Sequence, residues 1–219
     1  MKKSLVLLIL FLMFFGIGSY LYATDSVELT ERTLEIKIPT FSQLKMNSAL
    51  KNINETLYTE SFNLLKNNSV DVETDFSDWD VIDYYSQATK TFENDRLLSF
   101  KMDQYLYTYR SAHGSHLYLG FVFDLETGEK MKLNEIFNVK EAFYSTINGI
   151  MNETIEEKEI PIFDFTDFQG LDDSAEVFLE EDSLVIVFQE YAYTPYVYGP
   201  LTFKIPLAKL SSFFNSKYF

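Results

Sequence analysis

Residues 105–128, YLYTYRSAHGSHLYLGFVFDLETG, constrain the fold more than any other part of the chain. They are rich in tyrosine, phenylalanine and β-branched residues, and read as two β-strands joined by a short loop carrying His113 and His116. Glu126, Thr127 and Gly128 then form a closing turn. A loop this short permits only antiparallel pairing, because parallel strands need a long crossover. Flanking runs extend the same sheet. Residues 84–92 and 97–109 make a hairpin around Glu93, Asn94 and Asp95, and 117–124 add a third strand. Residues 175–179 and 184–189 form another hairpin, and 201–205 a last strand that Pro206 stops.

Helical periodicity appears twice at length. Met46, Leu50, Ile53, Leu57, Leu64 and Leu65 mark an amphipathic helix over about 42–66, broken by Asn67 and Asn68. Phe143, Ile147, Ile150, Met151 and Ile155 mark a second over 140–157. A helical turn near 134–137 and a short C-terminal helix over 207–214 complete the set. Ahead of the first helix, Leu34, Ile36 and Ile38 alternate with Glu35 and Lys37 in a half-buried strand that ends at Pro39. Strands in runs between isolated helices predict an α+β fold: an antiparallel sheet with two amphipathic helices on one face. Three parts follow: a leader (1–23), a small N-terminal α/β subdomain with an acidic loop (24–83), and a C-terminal domain (84–219).

The leader carries Lys2 and Lys3 and then an apolar run from residue 5 to 23, a signal peptide or a signal anchor. Leu21 occupies a place where a cleavage site wants a small residue, which favours the anchor. The lysines then stay inside and everything beyond residue 23 lies outside, beginning with a polar tether over 24–32. Net charge is −15, and because Lys2 and Lys3 are the leader's only charges, the outer part carries −17. That field argues against nucleic acid and steers cationic partners, though it serves solubility equally well. With no cysteine, a disulfide scaffold, a thiolate zinc site and a cysteine nucleophile are excluded. A composition 47% hydrophobic and 17% aromatic is that of a globular domain stabilised by its core.

Signals for chemistry are sparse. His113 and His116 supply two metal ligands at most, and a histidine beside Gly114 at a strand end serves as well to fix the loop. Ser111 and Ser115 stand nearby without a nucleophile elbow. The acids of 71–83 lack the glycine and glutamate of a calcium loop. Acid pairs such as Asp164 with Asp167 are expected without function in a chain of 33 acids. No cofactor and no metal site is read from these residues. A second aromatic stretch, residues 191–199 (YAYTPYVYG), is a companion for the histidine loop. Pro195 and Gly199 fix an irregular backbone there that needs a partner to cover it.

Six patterns together carry a resemblance. Ala112-His113-Gly114 precedes Phe123-Asp124-Leu125-x-Thr127-Gly128 and Leu133-x-x-Ile136-Phe137. Farther on come residues 184–188 (LVIVF), then Tyr191-x-x-x-Pro195-Tyr196-x-x-Gly199 and Ile205-Pro206. Together they resemble the extracytoplasmic C-terminal domain family of the anti-sigma-V factor RsiV and the peptidoglycan deacetylase PdaC, over roughly 84–214. In that family two glycines usually precede Ala-His, where this chain has Arg110 and Ser111. The resemblance implies a non-catalytic, receptor-like outer domain that binds lysozyme, another cationic protein or a cell-wall component. The ligand-binding residues it points to are Tyr107, Ser111, His113, His116, Tyr191, Tyr193, Tyr196 and Tyr198. Ala112, Gly114, Asp124, Gly128, Pro195 and Gly199 would shape the backbone. Against this stand two alternatives, an envelope enzyme using the His113 loop with carboxylates and a structural envelope protein.

The leader yields a first prediction. A C-terminally tagged chain is expected in the membrane fraction with its tag accessible from outside. Recovery solely as a shortened soluble form in the medium would refute the anchor.

Overall fold

The computed structural model describes residues 20–29, 32–41, 47–68, 80–164 and 168–219. Leader residues 1–19 and acidic residues 69–79 lie outside these. Strand β1 (Tyr20–Leu29) takes in the last residues of the leader and most of the expected tether. It pairs antiparallel with β2 (Arg32–Phe41) along its whole length, from Tyr20 opposite Phe41 to Leu29 opposite Arg32. The tether is therefore corrected to a strand. Pro39 sits inside β2 instead of ending it. The parallel pairing of β2 with the next strand stops at Lys37, so the missing N–H costs that ladder nothing.

Helix α1 (Ser48–Glu60) starts where the Asn47 side chain accepts the Leu50 N–H at 2.9 Å. The long helix expected here is two, because α1 gives way to a short α2 (Asn63–Asn67) at Ser61 and Phe62. The cause is a buried glutamine on a distant strand. Gln104 donates to the Glu60 carbonyl and accepts the Leu64 N–H at 2.8 Å, replacing bonds a continuous helix would have made. Tyr84 adds a hydrogen bond to the Ser61 carbonyl.

The helices form the crossover that lets β3 (Val81–Glu93) pair parallel with β2. Strands β4 (Leu97–Thr108) and β5 (Ser115–Asp124) follow antiparallel, giving a five-stranded sheet in the order β1-β2-β3-β4-β5. The sheet thus joins strands from either side of residue 83. One face buries Tyr84, Phe100, Phe121 and Phe123 against Ile53, Leu57 and Leu65.

After β5 come α3 (Leu133–Ile136) and α4 (Glu141–Glu157), then β6 (Glu176–Leu179), β7 (Ser183–Phe188), β8 (Leu201–Pro206) and α5 (Leu207–Leu210). Strands β6-β7-β8 form a separate antiparallel sheet. Leu184, Ile186, Phe188, Phe203 and Ile205 pack against Phe143, Ile147 and Met151 of α4. The α+β class and its antiparallel hairpins are as the pattern predicts. The strands are divided between two sheets, however, and α1 and α4 cover different cores instead of one shared face.

The two sheets meet at closest range where Gly120 of β5 lies against β6. A Cβ at Gly120 would stand 2.2 Å from the Val177 carbonyl oxygen, so only glycine allows the approach. The Leu179 N–H donates to Ser99 Oγ at 2.9 Å, and Ser99 in turn donates to the Phe121 carbonyl at 2.8 Å. Side chains also occupy the free edge of β5. Gln189 accepts the Tyr118 N–H at 3.0 Å and donates to its carbonyl at 2.6 Å, while Glu176 accepts the Gly120 N–H at 3.0 Å.

Asp124, buried at the far end of β5, ties down the C-terminal segment. It accepts the Glu126 N–H at 2.7 Å, and Lys217 Nζ and Tyr218 Oη at 3.1 Å each. Burial opposes its charge, but the hydrogen bonds from Glu126, Lys217 and Tyr218 outweigh this and hold its carboxyl below the usual carboxylate range. A group with a depressed folded pKa stabilises above its unfolded value of about 3.9 and loses that contribution as pH falls through the folded one. Asp124→Asn is therefore expected to cost about 2–3 kcal/mol in urea unfolding at pH 7. The gap should narrow below about pH 3; a gap that stays constant would assign the cost to shape alone.

Candidate functional site

At the end of β5 opposite Asp124, the ladder places Tyr85, Tyr105 and His116 side by side across β3, β4 and β5. Ring centroids are 6.2 Å apart for Tyr85 and Tyr105 and 4.9 Å for Tyr105 and His116. The next rung holds Gln87, Asp103 and Tyr118, and Tyr118 stacks on His116 at 5.7 Å. Tyr85 Oη donates to Asp103 at 2.7 Å, and His116 Nδ1 lies 3.5 Å from its other oxygen. Burial, reinforced by Asp103, pushes the phenols of Tyr85 and Tyr118 up, so both remain neutral donors.

Over this row close two segments far apart in sequence. Gly114 is buried beneath the Tyr105 ring, where a Cβ would come within 2.0 Å of Tyr105 Cε2. Its carbonyl binds His113 Nδ1 at 2.8 Å and accepts Tyr196 Oη at 3.3 Å. A carbonyl only accepts, so Nδ1 carries a proton, and Nε2 lies 3.3 Å from the Tyr191 hydroxyl. The His113 ring stacks on Tyr196 at 4.2 Å, and Tyr191 stacks on Tyr196 at 5.6 Å. The expected meeting of the histidine loop with residues 191–199 is thus present.

The second segment has a rigid base. Thr194 is buried and donates to the Gly199 carbonyl at 3.2 Å, and Gly199 takes a φ of 78°. Pro195 opens a 3-10 turn, Tyr196–Tyr198, that leaves Val197 93% and Tyr198 42% exposed. Tyr191 is 54% exposed and Tyr109 62%. Glu190, just before this segment, lies beside the His116 backbone. Burial pushes its carboxyl up, against the pull of His116 and His113.

The expected site residues therefore separate. His113, His116, Tyr191 and Tyr196 converge, with Tyr198 beside them on the turn. Tyr193 packs instead against Phe168 and Phe188, with its hydroxyl on Asp172 at 2.8 Å. Tyr107 donates to the Ser111 carbonyl at 3.3 Å and, with a Thr108–Ser111 hydroxyl contact, braces the loop. His116 belongs to strand β5 and not to the loop. Ala112 is exposed on the loop, whereas Gly128 is at the distant turn, where a Cβ would meet the Ala49 carbonyl at 2.1 Å. Tyr85, Asp103, Tyr105, Tyr118 and Glu190 were not anticipated. The register of the 84–109 hairpin was the signal that would have aligned the first three with His116.

Chemically the face offers stacked rings, one oriented imidazole and two carboxylates. Among the described residues no group of three or more histidine and acidic side chains is disposed to hold a metal ion.

Residues 129–208 match DUF3298, a protein family of unknown function. The matched stretch holds α3, α4, the small sheet and the 191–199 segment; the His113 loop precedes it. Two solved structures resemble this fold over most of the chain. One is a DUF3298 family protein from Pseudomonas aeruginosa PAO1, 16% identical, covering 93% of this chain and 96% of that one with a TM-score of 0.64. The other, a DUF3298 member from Bacteroides fragilis NCTC 9343, is 19% identical and covers 90% and 94%, with a TM-score of 0.55. At such identities the likeness shows the fold alone. No curated protein matches the chain.

Arg110 adopts a φ of 66°, the left-handed region that favours glycine. Its guanidinium lies 5.0 Å from the Tyr109 ring centroid, a weak compensation at the surface. Arg110→Gly is expected to leave stability unchanged or raise it by up to about 1 kcal/mol, and Arg110→Val to lower it by about 1–2 kcal/mol. Thermal unfolding in which the glycine variant is the less stable would contradict the strain.

Proposed function

We propose that the chain is an extracytoplasmic envelope protein that binds its ligand through the face formed by His113, Tyr191 and Tyr196. The observation carrying this reading is the convergence of loop 110–114 with segment 191–199, which builds a stacked aromatic surface and leaves Tyr191, Val197 and Tyr198 open to solvent. Rigid, amphipathic tyrosines supply contact area at small entropic cost and dominate binding hot spots. The resemblance to the RsiV and PdaC outer domains and the charge of −17 beyond the leader both favour a cationic protein such as lysozyme, or a cell-wall component.

Surface binding of the full-length chain to lysozyme at low and high salt tests the proposal. Salt is expected to slow association, and Tyr191→Ala or Tyr196→Ala to speed dissociation about tenfold. No binding at low salt removes lysozyme as the ligand. Binding indifferent to both tyrosines removes the face.

A second reading, an envelope enzyme acting on cell-wall glycan, draws on Glu190. Its carboxyl is pushed up by burial beside both histidines, as suits an acid–base group. Release of reducing sugar from purified wall material, abolished in Glu190→Gln, would favour it.

A further inference from the structure

A groove of about 630 Å³ opens between the start of α3, the first turns of α4 and the loop before β6, and it shares no lining residue with the aromatic face. Its size falls within the ~300–1,000 Å³ of small-ligand sites. The floor is the junction of the two sheets, Gly120 against Val177, with Met131 alongside. Leu133 and Leu171 add apolar wall, and Tyr144, 43% exposed, offers a ring its own chain does not cover.

Charge is distributed unevenly around this apolar centre. Lys132 lines the α3 side, and its ammonium makes no ion pair among the described residues. Asp172 and Asp173 line the loop side; Asp173 likewise has no cationic partner among the described residues. Lys130 and Glu176, 4.0 Å apart, sit between.

The loop wall is held without an occupant. Asn148 of α4 accepts the Leu171 N–H at 2.9 Å, and Asp172 accepts the Ser174 N–H and Tyr193 Oη at 2.8 Å each. Preformed walls lower the ordering cost of binding.

We infer that this groove binds a short zwitterionic peptide, its carboxylate toward Lys132, its ammonium toward Asp172 and Asp173, and its apolar side chain over Met131. A purely apolar ligand would desolvate three charges without pairing them. An anion would meet the two aspartates, and a cation the lysine. A single amino acid would leave most of the volume unfilled.

Methionine-methyl NMR of the full-length chain provides the test, with Met131 on the groove floor and Met102, buried in the other core, as internal control. The probe is the tripeptide Ala-Leu-Ala with free termini, compared with its acetylated and amidated form. The free peptide is expected to shift Met131 saturably while Met102 stays still. Blocking both ends should weaken binding about tenfold, and Lys132→Gln or Asp173→Asn about threefold or more each. No saturable shift at about 10 mM overturns the proposal. Equal shifts from free and blocked peptide also overturn it, assigning the groove to apolar ligands. Indifference to both substitutions overturns the charge pairing on which it rests.

Discussion

The outer edge of β5 is the constraint on which the rest depends. An edge strand presents a row of unpaired N–H and C=O groups that invites further pairing. Here several are taken by groups of its own chain. Tyr118 exchanges two bonds with Gln189, and Gly120 donates to Glu176. Val122 accepts from Met131 at 2.7 Å, and Asp124 donates to the Glu129 carbonyl at 3.1 Å. Side chains thus imitate a sixth strand. Because Gln189 comes directly after β7, its bonds set residues 191–199 against the His113 loop. Edge closure and site assembly are one event.

That arrangement concentrates strain and charge at one end. Tyr191, close after the capping Gln189, takes a φ of 65°, and Arg110 across the site takes 66°. Outliers of this kind persist where surroundings over-determine them, and here the stacked rings and the Gly114 carbonyl do so. Glu190 lies close to Asp103, so its partial burial and a like charge both work against ionisation, in opposition to the pull of His116 and His113. The face is built from several individually unfavourable placements.

Much of this was legible in the residues. The hairpin at 84–109 and helix α4 carry readable periodicities because part of each faces solvent, whereas residues 119–124 are buried on both faces and read as a strand through their aromatic and apolar content. Elsewhere the deciding partner lies far off. Nothing near Ser61 breaks a helix; Gln104, more than forty residues later, does. Residues 183–188 are buried throughout, so their pattern is the same in a central strand of one sheet or of two. The partition into two sheets turns on Gly120 meeting Val177. Strand β1 was read into the leader and tether, since its pairing with β2 leaves no strong alternation. In 191–199 a left-handed residue and a 3-10 turn interrupt any alternation, sending Tyr193 to the core and Tyr196 to His113, which residue spacing alone does not reveal.

Sequence separation gives the β5 edge a kinetic meaning. Gln189 reaches Tyr118 across 71 residues and Glu176 reaches Gly120 across 56. Hairpins β3–β4 and β4–β5 close through short loops and reward their entropy early, whereas the caps must wait for α4 and the small sheet. During that interval a finished strand lies bare beside Phe121 and Val122, the kind of surface through which chains join one another. The chain's net charge of −15 is already present in the unfolded state, where like-charge repulsion between chains opposes such joining.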